Sequence, residues 1–207
     1  FAGSGSVTVN VIDQTTDATV GKGLYDAGKK AVKVEATSAA KLFGLAGGVS
    51  LSAGSGVGAA VDVQTYNGHT YAGIADGASL KNASSVTVNA ESAEHMTSIA
   101  AAGAVGTGSF AGAGAAGAHS IATDTKAYVG QSEVTEAGDV SVTAKDETEL
   151  KTIAGSGAVS GNTGVGLTAA VEVVNKKASA IVGDDAKVTG SSLTVNSLLF
   201  TSDAAAE

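Results

Sequence analysis

The sequence predicts an all-β repeat array, and three observations carry that prediction. Units recur about every 54 residues: Val34-Glu35-Ala36, Val88-Asn89-Ala90 and Val142-Thr143-Ala144 stand one such step apart, as do Leu45, Ile99 and Ile153. Within each unit, apolar and polar residues alternate at one fixed phase. The apolar content is mostly Ala and Val, with 4% aromatic residues and 29 glycines, which suits thin stacked layers better than a bulky globular core. A period of this length marks a solenoid or array, in which each unit buries its apolar face on its neighbours. The steps divide the chain into units 1–54, 55–108, 109–162 and a partial fourth, 163–207. Gly54 and Gly108 keep the step, as do Gly58, Gly112 and Gly166. The fourth copy slips by one residue, since Val195 answers Val142 after 53. Phe1 shares a phase with Ser55, Ser109 and Thr163, so the chain is expected to be a fragment of a longer array.

The elements follow in order along the third copy. Ala127-Tyr128-Val129-Gly130 opens an apolar run, Glu133-Val134 follows, and Glu136-Ala137-Gly138-Asp139 reads as a turn. Next, Val140, Val142 and Ala144 point one way and Ser141 and Thr143 the other, the period-2 pattern of a half-buried strand. Val32/Val34/Ala36, Val86/Val88/Ala90 and Leu193/Val195/Ser197 repeat it, with Lys33, Thr87 and Thr194 outward. The alternation continues through the charged stretch, with Thr148, Leu150 and Thr152 against Glu147, Glu149 and Lys151. Ile153 to Val159 then leads through Ser160-Gly161-Asn162-Thr163-Gly164 into Val165, Leu167, Ala169, Val171 and Val173. Two alternating runs around a Gly/Asn cluster predict a long Ala/Gly-rich β-hairpin in each unit. Small residues on both faces predict close approach of one layer to another. Asp26 to Leu45 and Ala90 to Ala102, taken alone, read as amphipathic helices. Their third-copy equivalent alternates as a strand, and repeats share a fold, so strands are expected there too.

Composition excludes several functions. The formal net charge is -8, and all 12 basic residues are Lys. Phosphate binding wants basic clusters and base readout leans on Arg, so no nucleic-acid partner is expected. The chain has no Cys, hence no disulfide framework, thiolate nucleophile or soft metal site. No apolar stretch is long enough to span a bilayer as a helix, and no membrane contact by this segment is expected.

Candidate chemistry is sparse. His69, His95 and His119 fall at different repeat phases and read as separate surface residues. Gly54-Ser55-Gly56-Val57-Gly58 and Gly112-Ala113-Gly114 lack the strand, helix and acidic partner of a dinucleotide site. Asp76-Gly77 and Asp184-Asp185 read as turns, since calcium needs several oxygens converging from fixed positions. Asp62 and Glu172 share a phase and read as outward, solvated residues. No catalytic, cofactor-binding or metal residues are therefore assigned, no cofactor is expected, and binding residues are left open.

The run Val134-Thr135-Glu136-Ala137-Gly138-Asp139-Val140-Ser141-Val142-Thr143-Ala144 resembles the repeats of large bacterial surface adhesins. These are the autotransporter and filamentous-haemagglutinin-like exoproteins. Ser79-Leu80 to Ala90 and Ala186-Lys187-Val188-Thr189-Gly190 to Asn196 carry the same signature, and the Ala/Gly-rich runs resemble their β-strand repeats. The resemblance implies a right-handed β-helix, or β-solenoid, at the bacterial cell surface, with the outer-membrane anchor outside the fragment. It implies a stalk or adhesive segment that attaches to host cells, other bacteria or matrix through a protein or glycan partner, and not an enzyme. The alternative is a polysaccharide lyase or hydrolase on the same fold. The absence of Trp and Arg, with only Tyr25, Tyr66, Tyr71 and Tyr128 as tyrosines, speaks against a sugar-stacking groove.

Overall fold

The computed structural model describes the backbone of residues 1–206 and the side chains of residues 1–202. The described residues form ten strands and no helix: β1 (Ala2–Val20), β2 (Gly23–Asp26), β3 (Ala31–Ser52), β4 (Gly56–Ile74), β5 (Ala78–Lys81), β6 (Ser85–Gly106), β7 (Phe110–Val129), β8 (Glu133–Ser160), β9 (Thr163–Val182) and β10 (Lys187–Ala206). They build two parallel sheets. The first runs β1-β4-β7-β9. The second runs β3-β6-β8, with β10 on the far side of β8 and the short β2 and β5 beside the start of β8. Each unit thus sends one long strand through each sheet, and each strand pairs with its counterpart one unit along. Both segments that also read as helices are strands, β3 and β6.

The alternation explains why these residues form these strands. Val34, Val86, Val88, Val140, Val142 and Ala144 point inward and are buried, as the pattern requires. So do Thr148, Leu150 and Thr152. Inward residues of one sheet pack on those of the other in three apolar clusters. One joins the Val/Ala rows to Ile74, Leu80 and Val129 near the polar corner. A second is made wholly of alanines beside the Gly-rich corner. The third, between them, holds Leu42, Tyr66, Met96, Ile121 and Leu150.

The expected β-hairpin does not form. β8 and β9, which flank Gly161-Asn162, lie in different sheets and pair in parallel with β6, β10 and β7. The Gly-rich corner turns the chain so that side chains, not backbone groups, face each other across it. This is the outcome that small residues favour. A Cβ on Gly164 would lie 2.6 Å from the Ala158 carbonyl oxygen, and one on Gly56 would lie 3.0 Å from that of Val105. The sheets approach at this corner only because those positions carry no side chain.

Two further expectations are corrected. The turn at Glu136–Asp139 lies within the continuous strand β8, with Glu136 at φ 52°. Asn82 (φ 56°) and Gly28 (φ 57°) hold the same left-handed backbone one and two units earlier, respectively. The fourth copy lacks this residue: Val188 pairs with Val134 but Gly190 with Ala137, which locates the one-residue slip. In the first sheet Gly58 stacks on Ala113, and Ala113 on Gly166, so Gly112 is not their equivalent. The extra residue sits in the corner between β6 and β7, and the next corner is shorter by one, so the second sheet keeps its even step.

Candidate functional site

Two bands of polar side chains run through the interior, one on each side of the cluster around Tyr66. The first gathers Asp62 and Gln64 from β4, Ser98 from β6, His119 from β7, Thr152 from β8 and Glu172 from β9. The alternation of each strand turns these residues inward. Gln64 Nε2 donates to Asp62 Oδ2 at 2.8 Å and to the Thr97 carbonyl at 3.1 Å, and Ser98 Oγ donates to the same Asp62 oxygen. Thr152 Oγ1 donates to Glu172 and lies 3.0 Å from His119 Nδ1. Its hydroxyl proton is thereby committed to Glu172, so Nδ1 of His119 carries a proton and donates to Thr152. His119 Nε2 faces Asp62 Oδ2 at 3.6 Å, beyond hydrogen-bond reach. Gly44 makes room for this band, because a Cβ there would overlap the Asp62 carboxylate and the Gln64 amide.

The expected solvated positions of Asp62 and Glu172, and the surface position of His119, are therefore corrected. Asp62 and His119 are fully buried and Glu172 is mostly so. Their phase along the strand carries the cause. Asp62 and Glu172 fall on the inward parity of β4 and β9, which the flanking valines, half-buried beside Asp62 and exposed beside Glu172, had concealed. His69 and His95 do lie on outer faces, and His95 Nδ1 meets Glu149 Oε2 at 3.0 Å one unit away.

The second band holds Ser92 and Glu94 from β6, Thr125 from β7, Asp146 and Thr148 from β8 and Lys176 from β9. Glu94 accepts from Ser92 Oγ and, at 2.8 Å, from Thr148 Oγ1. Burial pushes its carboxyl above the usual glutamate range, against the lowering effect of those two hydroxyls. Asp146 Oδ2 accepts from Thr125 at 3.1 Å, and its Oδ1 lies 2.6 Å from Lys176 Nζ. These two side chains are 0% and 2% exposed. Lys176 also donates to the Phe200 carbonyl at 3.0 Å. Among the described residues, no group of three or more His, Asp or Glu side chains is disposed to hold a metal ion.

The outer face of the first sheet divides in two. Toward the Gly-rich corner it is apolar, with Val7, Val9, Val11, Leu167, Val171 and Val173 exposed, and the second sheet shows Phe43, Leu45, Val49 and Leu51 on its own outer face there. Toward the other corner the first sheet carries a shallow groove lined by Tyr71, Asp124, Lys126, Tyr128, Lys177 and Ile181. Tyr71 Oη donates to Asp124 Oδ2 at 3.1 Å and lies 3.2 Å from His69 Nδ1. Burial first, and then the Asp124 charge, push the Tyr71 hydroxyl above its ordinary value. Lys126 Nζ stands 5.0 Å from the Tyr128 ring centroid, within cation–π range. The sequence held a signal for this groove: Tyr71, Lys126 and Ser179 stand in one register row and fall outward by parity. Asp76 and Asp185 lie in turns, as expected, and cap corners by accepting from the Gln131 backbone N–H (2.7 Å) and side-chain amide (3.0 Å).

Family models, curated proteins and solved structures were all compared with the chain, and none of them matches it.

Proposed function

We propose that the chain is a structural and adhesive segment of a bacterial surface exoprotein, its units forming the coils of a flattened, right-handed β-solenoid. The observation that carries this is the register: every long strand pairs in parallel with its counterpart one unit away, in both sheets. A parallel strand-to-strand crossover is right-handed in nearly all proteins, which supplies the hand. Among the described residues, the outermost strands β1, β3, β9 and β10 each leave one edge without a ladder partner. Another copy of the same unit is the surface that fits such an edge, and uncovered parallel edges invite aggregation.

Dimensions favour display over length. One unit advances the stack by a single strand spacing, about 4.8 Å, while a strand of 20 residues runs about 65 Å across it. A spacer built this way gains little reach per residue. It gains broad flat faces, repeated one above another. The aromatic and ionic groove of the first sheet and the exposed apolar belt supply contacts suited to a protein or glycan on an opposing surface. The test is binding of the folded chain to arrays of glycans, matrix proteins and whole bacterial cells, beside Tyr71→Ala and Lys126→Ala. Saturable binding that these variants weaken supports the proposal. Absence of binding on every array, or depolymerisation of a polysaccharide by the intact chain, overturns it.

A further inference from the structure

We propose that Lys176 and Asp146 condense into an intramolecular isopeptide bond that ties the two sheets together covalently, with Glu94 as the proton-transfer group. The contact is unusual in its setting. Lys176 Nζ lies 2.6 Å from Asp146 Oδ1, and both side chains are shut off from water. Asp146 Oδ1 accepts no hydrogen bond of acceptable geometry, so the ammonium reaches the carboxyl without being seated as an ordinary donor. A buried ion pair is favourable only where geometry is good and the remaining lone pairs are satisfied. Here neither holds. Moving one proton from the ammonium to the carboxylate leaves a neutral amine beside a neutral acid. Those are the two forms that react.

Glu94 completes the arrangement. It is buried on β6, where its ladder neighbour is Thr148 and its inward neighbour Ser92 pairs with Asp146. It feels the charges of both Asp146 and Lys176. Two hydroxyls, from Ser92 and Thr148, fix the position of its oxygens. In the reaction the amine lone pair attacks Cγ of Asp146 and a C–N bond forms. Glu94 takes a proton from the nitrogen and returns one to the departing oxygen. The C–O bond breaks, and one water leaves. Amine plus carboxylic acid gives amide plus water, with no oxidant or other reactant.

The position gives the bond a purpose. Asp146 belongs to the second sheet and Lys176 to the first, one unit later, so the bond spans the interior between facing sheets. No other unit repeats the pair. Ser38, Ser92 and Leu199 occupy the Asp146 row, and Gly68 and Thr123 the Lys176 row. The bond would close a loop over residues 146–176 and hold the solenoid against being pulled open sheet from sheet.

The test is the intact mass of the folded full chain, followed by tryptic mapping. The expected result is a chain lighter than its sequence by one water, a branched peptide joining Asp146 to Lys176, and no cleavage after Lys176. Lys176→Arg, which keeps the charge but not the reactive amine, should show the full sequence mass and migrate more slowly in denaturing gels. Glu94→Gln should retain the β-sheet circular dichroism of the parent and lose water about 100-fold more slowly or not at all, the scale expected for a general acid–base group. A folded parent chain at full mass that trypsin cleaves after Lys176 overturns the proposal. Water loss in Glu94→Gln at the parent rate overturns the role given to Glu94.

Discussion

Val142→Asp tests the face assignment on which the whole stack depends. Val142 is 0% exposed, pairs laterally with Val88 and Val195, and belongs to the apolar cluster beside the polar corner. Losing the buried valine costs about 1.5–3 kcal/mol in transfer free energy. The new carboxyl finds no donor among Val34, Val88 and Val140. Even if it stays protonated, an unsatisfied buried polar group costs about 1–3 kcal/mol more. The sum is about 2.5–6 kcal/mol. A chain of this size loses about 2–4 °C of melting temperature per kcal/mol, so the transition should fall by about 5–24 °C. Ser141→Asp, one residue away, lies on the outer face beside Thr87 and Thr194 and should cost about 0.5 kcal/mol or less. Thermal melts followed at a β-sheet circular dichroism band, with urea midpoints as a check, would measure both. Two variants melting within a degree or two of each other would refute the inward placement of Val142.

Gly44→Ala places a methyl on the Asp62 carboxylate and Gln64 amide, and should destabilise by about 1–3 kcal/mol as an overpacked site, read as a lower urea midpoint. Glu94 has a folded pKa raised by burial, so it binds its proton more tightly in the folded chain. Its stabilising contribution is complete below the ordinary glutamate value of 4.5 and is lost as pH rises through the folded value. The parent chain should therefore lose stability relative to Glu94→Gln as pH is raised from 4 to 8 in matched urea titrations, and parallel curves would refute this. Deleting Ser109–Asn162 joins Gly108 to Thr163 and leaves three residues between the inward Gly106 and Gly164, the same corner length as between Ser52 and Gly56. The shortened chain should fold with the parent's β spectrum, whereas deletion of half that unit should aggregate through unpaired strand edges.

The period and the alternation made most of the fold legible before any coordinate. They fixed strand positions, the inward rows of Val and Ala, and the rejection of helix at β3 and β6. They did not settle which strands pair. A Gly/Asn cluster between two alternating runs specifies a reversal of the chain, but not whether backbone or side chains meet across it. Residues 161–162 give the second outcome because Gly164 and Gly166 let the sheets close on Ala158 and Ser156. The interior polar bands were the least legible. Asp62, His119 and Glu172 are types expected at the surface. Their burial follows only from parity along β4, β7 and β9, and the extra residue before β7 shifts that parity between copies. The Lys176–Asp146 contact joins opposite sheets of successive units, a relation no linear period reveals.

The central claim, that facing runs belong to separate parallel sheets stacked unit on unit, has a direct test in cysteine pairs, since the chain contains no native Cys. Thr87 and Ser141 are ladder partners one unit apart, and neighbouring strands set their Cα atoms about 4.8 Å apart, within disulfide range. Val159 and Val165 flank the Gly-rich corner but are 65% and 40% exposed, on opposite outer faces. Under mild oxidation Thr87→Cys/Ser141→Cys should cross-link readily within the monomer, and Val159→Cys/Val165→Cys should not. Cross-linking of the second pair and not the first would mean that the corner is an antiparallel hairpin, and would contradict the stacked parallel architecture.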